Sequence, residues 1–337
     1  MISSLSLLSL SLALAGAGDQ CPGTGMKGSA PIIASGLVSA WVQEFVSRNP
    51  GYPVSLLTPF GPPVGALDPA LESFLEGNSD FAFLTREIAE RDLATFRRMH
   101  SGQEPIVIPV AGGAWNRFGY VDAVAIIVNA TNPVRRLSFR QLDAIFSVTR
   151  RRGGPVTSDW AGLGVKAWRG RPVHLIGGGA WSSVESARAL TIRRRVLSLP
   201  GRPGVWRTTS GTGSEADMVD RVAADPLAIG FTGMGHLKAG VRVVPIAKND
   251  RGAAITATAE TIRAATYPLA RTVDLLVAPE MRCKATLRRF AQFILSDAGE
   301  AIIERASPFL SLSPHARRQS WRDIGAVTND RRPPTRR

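Results

Sequence analysis

Negative charge is scarce in this 337-residue chain: 27 Asp and Glu face 41 Lys and Arg, giving a formal net charge of +14. Cysteine and histidine are scarcer still, at two and four. Cys21 and Cys283 have no metal-ligand spacing, and His100, His174, His236 and His315 are too dispersed to share an ion, so no metal and no cofactor is expected. The chain has no Gly-x-Ser-x-Gly elbow, no P-loop and no His-Glu-x-x-His helix, which removes the usual motif-borne enzymes. The excess of positive charge comes without zinc-finger spacings or an aromatic RNP-type strand, so nucleic acid is not the expected partner. What remains is a solvated, arginine-rich surface, which also draws in small anions. Part of this charge lies in the last 23 residues and the rest is spread along the chain.

Long apolar runs are also missing, except at the start. MISSLSLLSLSLALAGAG has an apolar core of about a dozen residues, too short for the ~20 that span a bilayer. Ala13-Leu14-Ala15 and Ala15-Gly16-Ala17 satisfy the small-x-small rule, although no Lys or Arg precedes the run. Residues 1–17 therefore read as a signal peptide, and the mature protein as periplasmic or secreted. Gly18-Asp19-Gln20 before Cys21 is no lipobox, so no lipid anchor is expected. In an oxidising compartment the two cysteines can pair across a very long loop or remain separate thiols.

What is present is an alternation of strands and helices. Residues 121–146 show it best: the run from Ala123 to Val128 spares no face for water and reads as a doubly buried strand. A turn over 129–133 follows, and then Ser138 with Gln141 can form a capping box for a helix carrying Leu142, Ile145 and Phe146. Upstream, Ser35 is a candidate N-cap for a helix bearing Leu37, Trp41, Val42, Phe45 and Val46. Asp68-Pro69 opens a second helix and a third covers 88–100. Strands are expected near 54–57, 79–84 and 106–110. Downstream, Ser182 with Glu185 suggests a capped helix to about 199, and Ser214 with Asp217 another through Ala224. Strands at 228–232, 241–246 and 272–277 precede helices at 286–295 and after Ser296. This order implies an α/β fold of two lobes.

Six segments in this order resemble the periplasmic phosphate-binding proteins that serve phosphate ABC transporters. They are Lys27-Gly28-Ser29 before a Trp-bearing helix; Ser79-Asp80-Phe81-Ala82 with Thr85-Arg86; residues 122–146; residues 223–231; Tyr267-Pro268-Leu269-Ala270-Arg271; and residues 293–299. The resemblance covers residues 27 to about 313. It implies an α/β, two-lobed periplasmic-binding-protein-like fold, with mixed sheets flanked by helices and a ligand cleft between lobes. The expected division is lobe 1 over 18–120, lobe 2 over 121–240 with a crossing strand near its start, a return to lobe 1 over 241–313, and a disordered basic tail over 314–337.

A tetrahedral oxyanion needs backbone N–H groups, hydroxyls and an arginine fork. Carried over onto this chain, the binding residues are Ser29, Ala30, Gly61, Thr85, Arg86, Ser182 and Ser183. Two loops depart from the pattern: Ala30-Pro31 and Gly61-Pro62-Pro63 lack donors that the resemblance would place there. The implied function is capture of phosphate or another small oxyanion for an ABC importer, as a monomer that docks on the transporter's membrane subunits. Two other readings are a fold-sharing interaction module that no longer binds phosphate, and a secreted hydrolase, which no motif supports.

Overall fold

The computed structural model describes residues 21, 23–57, 68–117, 119–177, 185–207, 214–306 and 308–328. The expected signal segment lies outside these residues. The first body contains β1 (Met26–Ser29), α1 (Ile32–Arg48), β2 (Val54–Leu56), α2 (Pro69–Leu75), β3 (Phe81–Leu84), α3 (Glu90–Met99) and β4 (Ile106–Gly112). The chain then crosses to β5 (Val124–Asn129), β6 (Leu137–Ser138), α4 (Phe139–Phe146), β7 (His174–Leu175), α5 (Ala187–Ile192), α6 (Glu215–Ala224), β8 (Ala228–Gly233), β9 (Val241–Val243), β10 (Ile246–Ala247) and α7 (Ala259–Arg263). It returns through β11 (Thr272–Val277) to α8 (Lys284–Ile294), α9 (Asp297–Ala306) and α10 (Pro314–Thr328).

Each lobe is built on one main sheet. The first has strand order β2-β1-β3-β11-β4, with β1 parallel to β2 and β3, and β11 antiparallel to both its neighbours. The second has order β7-β8-β5-β9. All six residues of β5 are buried between β8 and β9, as its unbroken apolar run demands. Phe81, Phe83 and Phe290 pack edge to face in the core of lobe 1, where Trp41 Nε1 donates to Gly299 O. Cys21 and Cys283 are bonded to each other, tying the start of the described chain to the start of α8.

Local signals place most helix ends. Asp68 accepts from Ala70 N and Pro69 fills the first turn of α2; Ser138 and Gln141 form the capping box of α4; Ser214 accepts from Asp217 N. Others differ from the sequence reading. α1 starts three residues before Ser35, because Pro31 tolerates the position ahead of a helix, and the Ser35 hydroxyl instead donates to Ile32 O. Ser182 lies outside the described residues, and Glu185 serves no capping box: Ser186 caps α5, while Glu185 grips Arg193. α5 then widens into a π-helical turn over Arg193–Leu197, closed by Ser198 N donating to Arg193 O.

Two boundaries also move. Residues 241–270 stay in lobe 2, because β9 pairs with β5, β10 with β6, and Ile262 and Tyr267 are buried in the lobe-2 core. The return comes at Arg271. Residues 314–328 are a helix rather than a disordered tail: α10 packs on α8 and β4, Ile324 is buried, and Ser320 Oγ donates to Pro109 O. Its arginines mask an inward stripe of Ala316, Ser320, Ile324 and Val327 at helical spacing.

Candidate functional site

The parallel strands β1, β2 and β3 all end at one edge of the first sheet, and β11 starts there, since Asp274 pairs with Leu84 and Thr272 with Gly112. In an open α/β sheet, the crevice outside the carboxyl ends of the strands is where ligands sit. In lobe 2, β5 starts where β8 ends, at Val124 opposite Gly233. The two edges meet at the crossings, where Gly113 N donates to Arg271 O at 2.7 Å and Val124 N to Leu269 O at 3.1 Å.

The backbone is tight at this junction. Val121 has φ +52°, a conformation that a β-branched residue adopts only under strain, and such strain clusters at functional and switch regions. A Cβ on Gly113 would lie 2.1 Å from Val121 O, and one on Gly233 would lie 2.2 Å from Asp122 Oδ2. Glycine is what lets these segments pass.

Charges converge on the same point. Asp122 is fully buried; it accepts from Arg188 Nη2 at 2.5 Å and from Gly235 N at 2.8 Å. Arg271 is 7% exposed, donates from Nη2 to Thr85 O at 2.7 Å, and has no partner at Nε. Burial, and after it the nearby Arg188, pushes its pKa down to about 10, with Asp122 and Glu87 pulling the other way. Asp274 Oδ1 is likewise buried and unpartnered, and burial raises that carboxyl to about 6. Arg195, from the π turn, donates to Glu87 Oε1 at 2.6 Å and to Ala270 O at 2.5 Å, joining the lobes. Three arginines and three carboxyls thus meet where both sheets end, and the buried guanidinium of Arg271 keeps a donor in reserve. That arrangement suits an anion. No cluster of three or more metal-ligating side chains occurs among the described residues.

The basic surplus belongs mostly to one lobe. Residues 121–270 hold 21 Lys and Arg against 10 Asp and Glu; the remainder of the chain holds 20 against 17. The charge is therefore concentrated in the second lobe rather than spread along the chain.

The residues expected from sequence fare unevenly. Thr85 and Arg86 lie at the shared edge, and Thr85 meets Arg271 through its carbonyl. Arg86 Nη1 is engaged by Asp92 at 2.9 Å and by Glu87 O, so it fastens the start of α3. Ser29 ends β1 at this edge, but its hydroxyl is fully buried, donating to Ala70 O and bonded to Ser79 Oγ. Ala30 is buried in the lobe-1 core. Gly61, Ser182 and Ser183 lie outside the described residues. Arg271, Arg188, Asp122 and Asp274 were not singled out from sequence as site residues. The available signal was a charge directly before an apolar strand, as at Asp122 and Arg271.

Comparison with known proteins places the chain, by its length and fold, among others. A model described as "PBP superfamily domain" matches residues 30–298. The phosphate-binding protein PstS of Pseudomonas aeruginosa is 26% identical over 288 residues, covering 83% of this chain and 82% of its own. Protein SphX of Synechococcus elongatus is 26% identical over 267 residues, covering 77% and 70%. Among solved structures, an ABC-type phosphate transport receptor from Vibrio cholerae aligns with TM-score 0.52 at 18% identity, over 86% of this chain and all of that one. The family match spans most of the chain and both lobes: this protein belongs to the PBP superfamily.

Proposed function

We propose that this protein is an extracytoplasmic solute-binding protein that captures a small tetrahedral oxyanion, phosphate foremost, between its lobes and delivers it to an ABC importer. It binds without transforming, as a receptor rather than an enzyme. The observation that carries the reading is Arg271: a guanidinium buried at the crossing, next to Arg188, with Nε unpartnered. A buried donor is costly unless something bonds it, and an oxyanion clamped by the closing lobes does so. The relatives described as phosphate-binding proteins support the choice of phosphate, and the disulfide supports an oxidising, extracytoplasmic compartment. Calorimetric titration of the mature chain with inorganic phosphate and with sulfate tests it. One-site binding of phosphate is expected, and silence toward both anions would overturn it.

The interaction-module reading has one observation in its favour. Pro31, without an N–H, heads α1, and the Ser29 hydroxyl beside it is committed inside the lobe. The same titration decides, since that module would bind neither anion.

A further inference from the structure

The π turn places three consecutive arginines, Arg193, Arg194 and Arg195, on the rim of the cleft. In an α-helix successive side chains diverge by about 100°. The i→i+5 bond from Ser198 N to Arg193 O widens the turn and narrows that angle, which lets neighbouring arginines reach the same side. Arg193 is spent within its own lobe on Glu185. The next two reach across: Arg194 meets Glu90 at 3.3 Å, and Arg195 meets Glu87 at 2.6 Å.

Arg195 also completes a ring. Its Nη1 holds Ala270 O, in the peptide that leads to Arg271. Its Nε and Nη2 hold Glu87, two residues beyond Thr85. Arg271 closes the circuit by donating to Thr85 O. Of the ring's members, Arg195 alone comes from the helical part of lobe 2, so opening the lobes must pull it off Glu87. The clasp that ties the peptide before Arg271 to Glu87 thereby exists only while the lobes are shut.

We propose that Arg195, clasped to Glu87, is a positioning residue: lobe closure sets the Arg271 guanidinium through it, so capture and closure are one event. This rests on the anion-binding reading above and adds the residue that couples binding to motion. Arg195 itself holds no anion. Its fork is already spent on a carboxylate and a carbonyl, and a lysine, a single point charge, does not grip both.

The test is a double-mutant cycle with Glu87→Gln, Arg195→Gln and the pair, read by the dissociation rate of inorganic phosphate and by interlobe distance. The distance comes from fluorescence transfer between dyes at Ser47→Cys and Ser158→Cys, exposed positions on different lobes. Each single variant is expected to release phosphate about tenfold faster, with the double no faster than either single, because both break one coupling. The thermal midpoint stays within a few degrees, and the mean interlobe distance lengthens with or without phosphate. Additive rate effects, an unchanged off-rate, or an unchanged distance would overturn the proposal. If wild-type protein binds no phosphate, the anion reading fails first; the distance shift then still decides whether Arg195 shuts the lobes.

Discussion

Replacing Arg271 by methionine separates a structural arginine from one kept for a ligand. The substitution keeps the length of the side chain and removes its charge. Two effects on the unliganded fold oppose each other. Burial that lowers a guanidinium from its usual 12.5 to about 10 means the charged form is disfavoured by about 3 kcal/mol in place, at about 1.4 kcal/mol per unit, and methionine relieves that. Against it, the bond to Thr85 O is lost and the carbonyl is left buried without that donor, at about 1–3 kcal/mol. The two nearly cancel, so the unliganded variant should melt within a few degrees of wild type.

Binding has no such offset. A guanidinium that gives an oxyanion the one charge-assisted bond left open at Nε contributes about 1.5–3 kcal/mol. Phosphate affinity should therefore fall about 10- to 10²-fold. Calorimetric titration measures the second quantity and scanning calorimetry without ligand the first. A variant that keeps phosphate affinity within threefold refutes the assignment. One whose stability collapses in step with its affinity refutes the claim that the charge is held for a ligand.

Three further outcomes follow from other parts of the molecule. Converting Cys21 and Cys283 to serine opens a loop of 262 residues, which in the chain-entropy account removes about 5–6 kcal/mol and lowers the melting midpoint by about 9 °C; an unchanged midpoint contradicts that account. Asp274 has a folded pKa raised to about 6, so the fold holds a proton the unfolded chain has released; its favourable contribution is full below about 4 and lost as pH rises through 6. Asp274→Asn should then raise stability at pH 7–8 relative to wild type and leave it near wild type at pH 4, as melting curves across pH would show. Gly113→Ala forces a Cβ onto Val121 O and Arg271 O, neither of which is a flexible side-chain end, and should cost about 2–3 kcal/mol in urea unfolding.

Much of the scaffold is written locally. The apolar run of β5, the Ser138–Gln141 box, Asp68-Pro69 and Ser214 each satisfy backbone groups or bury side chains within a few residues, so reading them needs no tertiary information. The misreadings arise where composition hides geometry. Arginines made 314–328 look solvated, although an apolar stripe every three or four residues docks α10 on α8 and β4. Nothing in the sequence separates Arg193 from Arg194 and Arg195, yet the first pairs within its own lobe and the other two across the cleft. A hydroxyl just ahead of a helix reads as an anion donor, but the Ser29 hydroxyl turns inward to Ala70 O.

The site was hidden for a topological reason. Its charges come from positions 87, 122, 188, 195, 271 and 274, which share no motif and meet only because the chain crosses between lobes twice. A residue at a crossing has neighbours from both lobes, so it is desolvated more deeply than its local sequence indicates. Asp122 and Arg271 each stand at such a crossing, just ahead of a buried strand, where an apolar residue would serve the fold better. Charge at those two places is costly to stability unless it is bonded: Asp122 is held by Arg188 and Gly235 N and Arg271 holds Thr85 O, while the Arg271 Nε is left over for a ligand. Once the family resemblance fixes where the lobes join, a charge directly before a crossing strand is therefore stronger evidence of a site residue than a serine before a helix, which capping alone explains.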